Sequence, residues 1–196
     1  MSVNLLEIVC ERLGYPALQK IDPNTQDVPT DKQTSARQHF GQAAIPAILT
    51  GLYHYVQTDE GANYFLRENK SPDWVERIFG DKKGEVVQKI TGYSQEAGKD
   101  PTEEMNLIAA GAVKVAKENL TATADIKDVK VFFSNQINHI LLYLPAELQV
   151  GKSLQEGTLD DKTNKMEGPM SSLVQNLGNV FSGPVTDKEV DNKDRF

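Results

Sequence analysis

Residues 44–66 read AIPAILTGLYHYVQTDEGANYFL. Ile48, Leu49, Leu52, Tyr53 and Val56 recur at spacings of three and four, an apolar stripe of helical period. Ala47, Thr50 and Gly51 make a second face of small residues, suited to the close approach of another helix. Pro46 lies inside the segment. A proline removes one backbone hydrogen bond and its ring collides with the preceding turn, so a kink or a break is expected there. Thr58 then caps a new helix whose first turn carries Asp59 and Glu60, where carboxylates meet the positive end of the helix dipole.

The same grammar runs outward in both directions. Val3, Leu5, Leu6, Val9 and Leu13 mark a first helix, stopped by Gly14 ahead of Pro16. Residues 21–31, IDPNTQDVPTD, read as a loop. Thr30 or Asp31 is positioned to cap the long helix over roughly 31–57. Ser71-Pro72 starts the helix bearing Trp74, Val75, Ile78 and Phe79, and Gly80 ends it. Asp81 opens a helix carrying Val86, Val87, Ile90 and Tyr93. Asp100-Pro101-Thr102-Glu103 starts another, with Met105, Ile108, Ala112 and Val115 on one side. Asp125 caps a long helix with Val129, Phe132, Phe133, Ile137, Ile140, Leu141 and Leu144, ended by Pro145. A polar stretch over 151–168 precedes an amphipathic helix over 169–181. The charge-alternating tail 184–196 reads as disordered. KVFF at 130–133 has strand propensity but sits within a longer helical period. The expectation is an all-α fold of about eight helices forming one domain over 1–181. Residues 121–181 pack onto the rest, because the helix from 126 is apolar around much of its circumference and needs cover on several sides.

Composition narrows the function. The chain has 196 residues, 39% hydrophobic and 25% charged, with a net charge of −7. That balance suits a globular domain and repels nucleic-acid backbones and anionic membranes. No run approaches the ~20 apolar residues a membrane span needs, and the N-terminus lacks the basic start of a signal peptide, so a cytoplasmic location is expected. The single cysteine, Cys10, excludes an internal disulfide, and its helical surroundings make it a buried structural thiol.

Several stretches imitate chemistry. Residues 146–153, AELQVGKS, fit a relaxed phosphate-loop pattern. A working phosphate loop follows a strand, turns backbone amides inward on glycines and starts a helix at its lysine. Here FFSNQINHILLYL precedes it with helical spacing, no glycine comes before Gly151, and Glu147 sets negative charge where phosphate belongs. His39, His54 and His139 are too far apart for a paired metal motif. DPNTQD at 22–27 and DDKTN at 160–164 lack the glycine and glutamate of a calcium loop. No catalytic residue, metal ligand or cofactor is therefore expected. One polar cluster stands out: Asn135, Asn138 and His139, beside Gln136, interrupt a strongly apolar helix. Buried, they would need partners and could form a site; exposed, they make one wet face.

The order of VNLLEIV near the start, AIPAILTGLYHYVQTDEGANYFL at 44–66, WVERIFGDKKGEVVQKITGYS at 74–94 and DPTEEMNLIAAGAVKVAKENL at 100–120 resembles the YidB-like family of small bacterial helical proteins, domain of unknown function 937. The resemblance covers about residues 1–120. It implies a compact all-α fold and brings no activity, so no catalytic residue carries over. Two functional classes follow. One is a non-enzymatic helical protein that associates with another protein or with itself. The other is a small-ligand binder or enzyme whose site is assembled from distant residues, around His139, Trp74 and nearby carboxylates. Lys152→Ala is expected to leave the chain's behaviour towards ATP and GTP unchanged; a nucleotide affinity measured by equilibrium dialysis and abolished by that substitution would overturn this reading of residues 146–153.

Overall fold

The computed structural model describes residues 3–22, 35–68, 72–94 and 100–154, apart from the side chain of Lys152. All of them belong to one compact unit. Among the described residues there is no strand, and the architecture is all-α. The elements are α1 (Leu5–Leu13), α2 (Ala36–Gln57), α3 (Asp59–Arg67), α4 (Trp74–Phe79), α5 (Lys83–Ser94), α6 (Thr102–Glu118) and α7 (Ile126–Leu141). A 3-10 turn, Gly80–Lys82, joins α4 to α5, and a second, Ala146–Leu148, precedes one last helical turn, Val150–Ser153. The expected count of about eight helices does not carry over. The helix at 169–181, the polar stretch from 155, the tail 184–196 and the loop over 23–31 all lie outside the described residues.

Helix α2 is the centre. Residues 40–52 are buried without interruption, and α1, α3, α4, α5, α6 and α7 all pack on α2. Of the kink or break expected at Pro46, the break does not occur: α2 is one helix with the proline inside it. An interior proline costs about 3 kcal/mol. Burying Ile45, Ile48, Leu49 and Leu52, all fully enclosed, contributes about 1.5–3 kcal/mol each, so packing outweighs the local penalty. Thr50 lies inside this core and meets its polar requirement locally, donating to the Pro46 carbonyl at 2.8 Å.

Helix ends follow local chemistry. Asn4, Ser35, Thr58 and Asp73 accept from the amides of Glu7, Gln38, Gly61 and Glu76 respectively. Asp125 and Asp128 form a reciprocal capping box at α7. Several starts differ from the sequence reading, among them α5, which begins at Lys83 behind the 3-10 turn and not at Asp81. Helix α2 begins at Ala36 behind Ser35, not at Thr30 or Asp31, and α4 is capped by Asp73, not Ser71.

Two buried glutamines tie the peripheral chain to the core. Gln136 of α7 accepts from the Leu5 amide at 3.1 Å and donates to the Val3 carbonyl at 2.9 Å, fixing the start of α1. Gln42 of α2 accepts from the Gln19 amide at 2.9 Å and donates to the carbonyls of Gln19 and Tyr143, at 3.0 and 2.8 Å. The non-helical segment 15–22 is thereby held against the end of α7, where the Ile21 amide also donates to Leu142 at 2.9 Å.

The small face of α2 serves close packing. A Cβ at Gly51 would lie 2.4 Å from Ile78 Cγ2 and 2.8 Å from Phe79 Cε1, so α4 rests directly on this glycine. Gly51→Ala is expected to destabilise the chain by about 1–3 kcal/mol through overpacking, read as a lower urea midpoint with an unchanged slope; a midpoint at or above that of the parent would overturn this account of the α2–α4 contact.

Candidate functional site

The site begins at the end of α1. Gly14 adopts φ 67°, the left-handed conformation that glycine takes without steric penalty. The Gly14 amide donates to Glu11 and the Tyr15 amide to Cys10, at 3.2 and 2.9 Å, the paired bonds of a Schellman stop. This turn drives Tyr15 into the protein between α1, α2 and α6.

Tyr15 is nearly buried, and its hydroxyl donates to Glu104 Oε1 at 2.6 Å. Arg37, in the first turn of α2, stacks its guanidinium 4.5 Å from the Tyr15 ring centre. Arg37 also lies 3.6 Å from Glu104 Oε1 and donates to the Leu13 carbonyl at 3.2 Å. Three helices are thus joined through one phenol. Burial first, and then the Glu104 carboxylate that accepts its hydrogen bond, push the Tyr15 phenol well above the usual tyrosine range.

Two hollows flank Tyr15. One, of about 280 Å³, lies between the end of α1 and the start of α6, lined by Leu13, Arg37, Glu103, Leu107 and Ile108 among others. Leu107 is 63% exposed at its edge. The second, of about 360 Å³, lies between α1 and the 15–18 segment, lined by Leu6, Glu7, Cys10, Glu11, Leu18 and Tyr143 among others. Cys10 is only 4% exposed there. Burial first, and then the Glu7 carboxylate, push its thiol up to about 11. The thiol form predominates at neutral pH, and it is a poor nucleophile.

The polar residues of α7 divide. Asn135 and Asn138 face solvent. His139 is half-buried, with Nε2 3.4 Å from Asn4 Nδ2 and its ring 5.3 Å from that of Tyr143. His139 Nδ1 is buried without a hydrogen-bond partner. The fourth polar residue, Gln136, is the enclosed one, spent on the start of α1. Trp74, on α4, packs edge-on to Tyr64. Among the described residues, no three His, Cys, Asp or Glu side chains come together as a metal-binding set.

Residues 146–153 take a shape unlike a phosphate loop. Helix α7 precedes them where a strand would be needed, followed by a 3-10 turn, Gln149 at φ 43°, and a single helical turn. Ser153, 2% exposed, accepts from Lys89 Nζ and donates to Glu85 Oε1, both at 2.8 Å, while Lys89 and Glu85 are themselves paired at 2.9 Å. The lysine donates to the hydroxyl here, the reverse of what a lysine base would do.

Sequence reasoning missed Tyr15, Arg37 and Leu107 as a group. The Gly-Tyr-Pro run at 14–16 carried a signal, since the residue after a helix-stopping glycine commonly packs back onto the helix. No protein-family model, no curated protein and no solved structure matches this chain.

The raised Tyr15 phenol has a consequence for stability. An unfolded tyrosine ionises near pH ~10, whereas the folded chain holds the Tyr15 proton to higher pH. The folded state therefore binds more protons above pH ~10, and the contribution of Tyr15, complete below that pH, is lost as the pH rises further. Tyr15→Phe is expected to cost about 1 kcal/mol at pH 7 and to flatten the decline of thermal stability between pH ~9.5 and ~11; an alkaline decline as steep as that of the parent would overturn this assignment.

Proposed function

We propose that this chain is a non-enzymatic helical protein that acts by associating with another protein or with a second copy of itself. The observation that carries the reading is Leu107, a large apolar side chain left in solvent at the edge of a hollow lined by half-buried Leu13 and buried Ile108. A single exposed leucine is ordinary. One joined to two adjoining hollows makes an apolar surface ready to receive a partner's side chains. The reactive groups near these hollows point the same way: Cys10 is a protonated, enclosed thiol, and the Tyr15 hydroxyl is committed to Glu104. The net charge of −7 argues against nucleic acid and nucleotides as partners.

On this reading residues 121–154 are added to a YidB-like part over 1–120, and the remainder of the expected domain over 1–181 lies outside the described residues. Support comes from α7, which buries Phe133, Ile137 and Ile140 while packing on α2 and α3. Among the described residues no helix is long and apolar enough to cross a membrane. A reducing compartment such as the cytoplasm suits a chain whose one cysteine is a buried free thiol.

A second reading, a small-ligand site, is favoured by one observation: the hollow at Cys10, about 360 Å³, falls within the size range of small-molecule pockets. An affinity pull-down with the full chain at native abundance separates the two. A protein retained by the parent and depleted at least about fivefold from Leu107→Asp is expected. Retention of no protein, together with a metabolite co-purifying with the chain, would overturn the first reading in favour of the second.

A further inference from the structure

Resting on that protein-binding reading, we propose that the two hollows beside Tyr15 form one docking groove for a basic amphipathic segment of a partner protein. The apolar content comes from both helices that border Tyr15. Leu6 and Leu18 line one hollow, Leu13, Leu107 and Ile108 the other, and Tyr15 lines both. Apolar anchors of the partner therefore have two receptacles joined at one ring.

Charge identifies the occupant. Glu7, Glu11 and Glu103 line the groove, are exposed, and have no ion-pair partner among the described residues. Glu104 differs, being engaged by Tyr15 and Arg37. The nearby cation Arg12 is committed to Glu118 at 2.5 Å.

Glu7 lies in the first turn of α1, where the dipole favours an acid, but Glu11 is placed against the interest of that helix. Glu7 and Glu11 are four residues apart on α1, where like charges face and repel each other. Glu11 further lies in the last turn, where the helix dipole disfavours an acid. Local choices that oppose the fold mark positions held for something other than folding. The field of Glu7 reaches the interior of the hollow, where it adds to burial in raising both the Cys10 thiol and the Tyr143 phenol. A lysine- or arginine-bearing segment relieves this repulsion while its apolar face fills the hollows. A second copy of this chain, at a net charge of −7, brings more negative charge to the same place.

The test uses the full-length chain, isotope-labelled, and a synthetic amphipathic peptide of leucine and lysine. Amide shifts are expected to cluster at Leu6, Cys10, Leu13, Tyr15, Leu107 and Ile108. Combined Glu7→Gln, Glu11→Gln and Glu103→Gln is expected to weaken the peptide about tenfold. Neutralising three carboxylates elsewhere, by Glu60→Gln, Asp81→Asn and Glu147→Gln, is expected to leave the affinity within about twofold. Shifts spread over the acidic surface, equal losses in the two triple variants, equal shifts with spermidine, or binding of the same peptide with every lysine replaced by glutamate would each overturn the proposal. Dimerisation of the chain that the peptide fails to displace would also overturn it, with a second copy as the occupant. If the pull-down partner is retained undiminished by the groove triple variant, the groove assignment fails while the protein-binding reading stands. If the full chain retains no protein at all, the protein-binding reading itself fails.

Discussion

Helix α2 has no solvated side between residues 40 and 52, and the placement of every other helix answers to that constraint. A helix apolar on one stripe needs one neighbour; a helix apolar all round must be enclosed. Six helices do the enclosing here, each turning one buried face inward: Leu5, Leu6 and Val9 from α1, Phe65 from α3, Trp74, Val75 and Ile78 from α4, Ile90 from α5, Met105 and Ala112 from α6, Phe133 and Ile140 from α7. The outer helices therefore share one core. The proline at 46 survives within that core because both halves of α2 are gripped from outside, so breaking the helix would uncover more apolar surface than the missing hydrogen bond costs.

Enclosure of this kind leaves little room for polar groups, and the two glutamines that enter the core are engaged by backbone groups. Gln42 and Gln136 each supply a donor and an acceptor to backbone groups that no helix ladder serves. Through them the non-helical segment 15–22 and the start of α1 become fixed parts of the structure. Tyr15 is presented from that segment, held at one end by the Gly14 stop and at the other by the Gln42 clamp. The segment that presents Tyr15 and the start of α1 are thus tied to the core through two amide side chains.

Electrostatics on the outer surface follow a different rule. Lys130–Asp59, Lys83–Asp73 and Arg12–Glu118 pair charges across elements, each worth little when exposed. The carboxylates of Glu7, Glu11 and Glu103 around the Tyr15 hollows have no such partner among the described residues, and neither do Glu60, Asp81 and Glu147 elsewhere. Glu7 and Glu103 lie in first helical turns, where the dipole favours an acid, whereas Glu11 lies in a last turn, where it does not.

Much of the fold was written locally. The stop at Gly14, the caps at Thr58 and Asp125, and the stripes of α6 and α7 are legible in sequence because each depends on residues within four positions of one another. The small face at Gly51 is legible for the same reason, although its partner is not: Ile78 and Phe79 come from a separate helix. Tertiary packing decided the rest. It kept α2 whole through Pro46, because enclosure by six neighbours is a property of the assembled core. It chose Gln136 over Asn135 and Asn138 as the enclosed polar residue of α7, because only that position meets the start of α1 more than a hundred residues away in sequence. It also brought Tyr15, Arg37, Glu104 and Leu107 into one place. Three separate stretches of chain supply those side chains, and a site made by long-range packing leaves no period or spacing in the sequence to read.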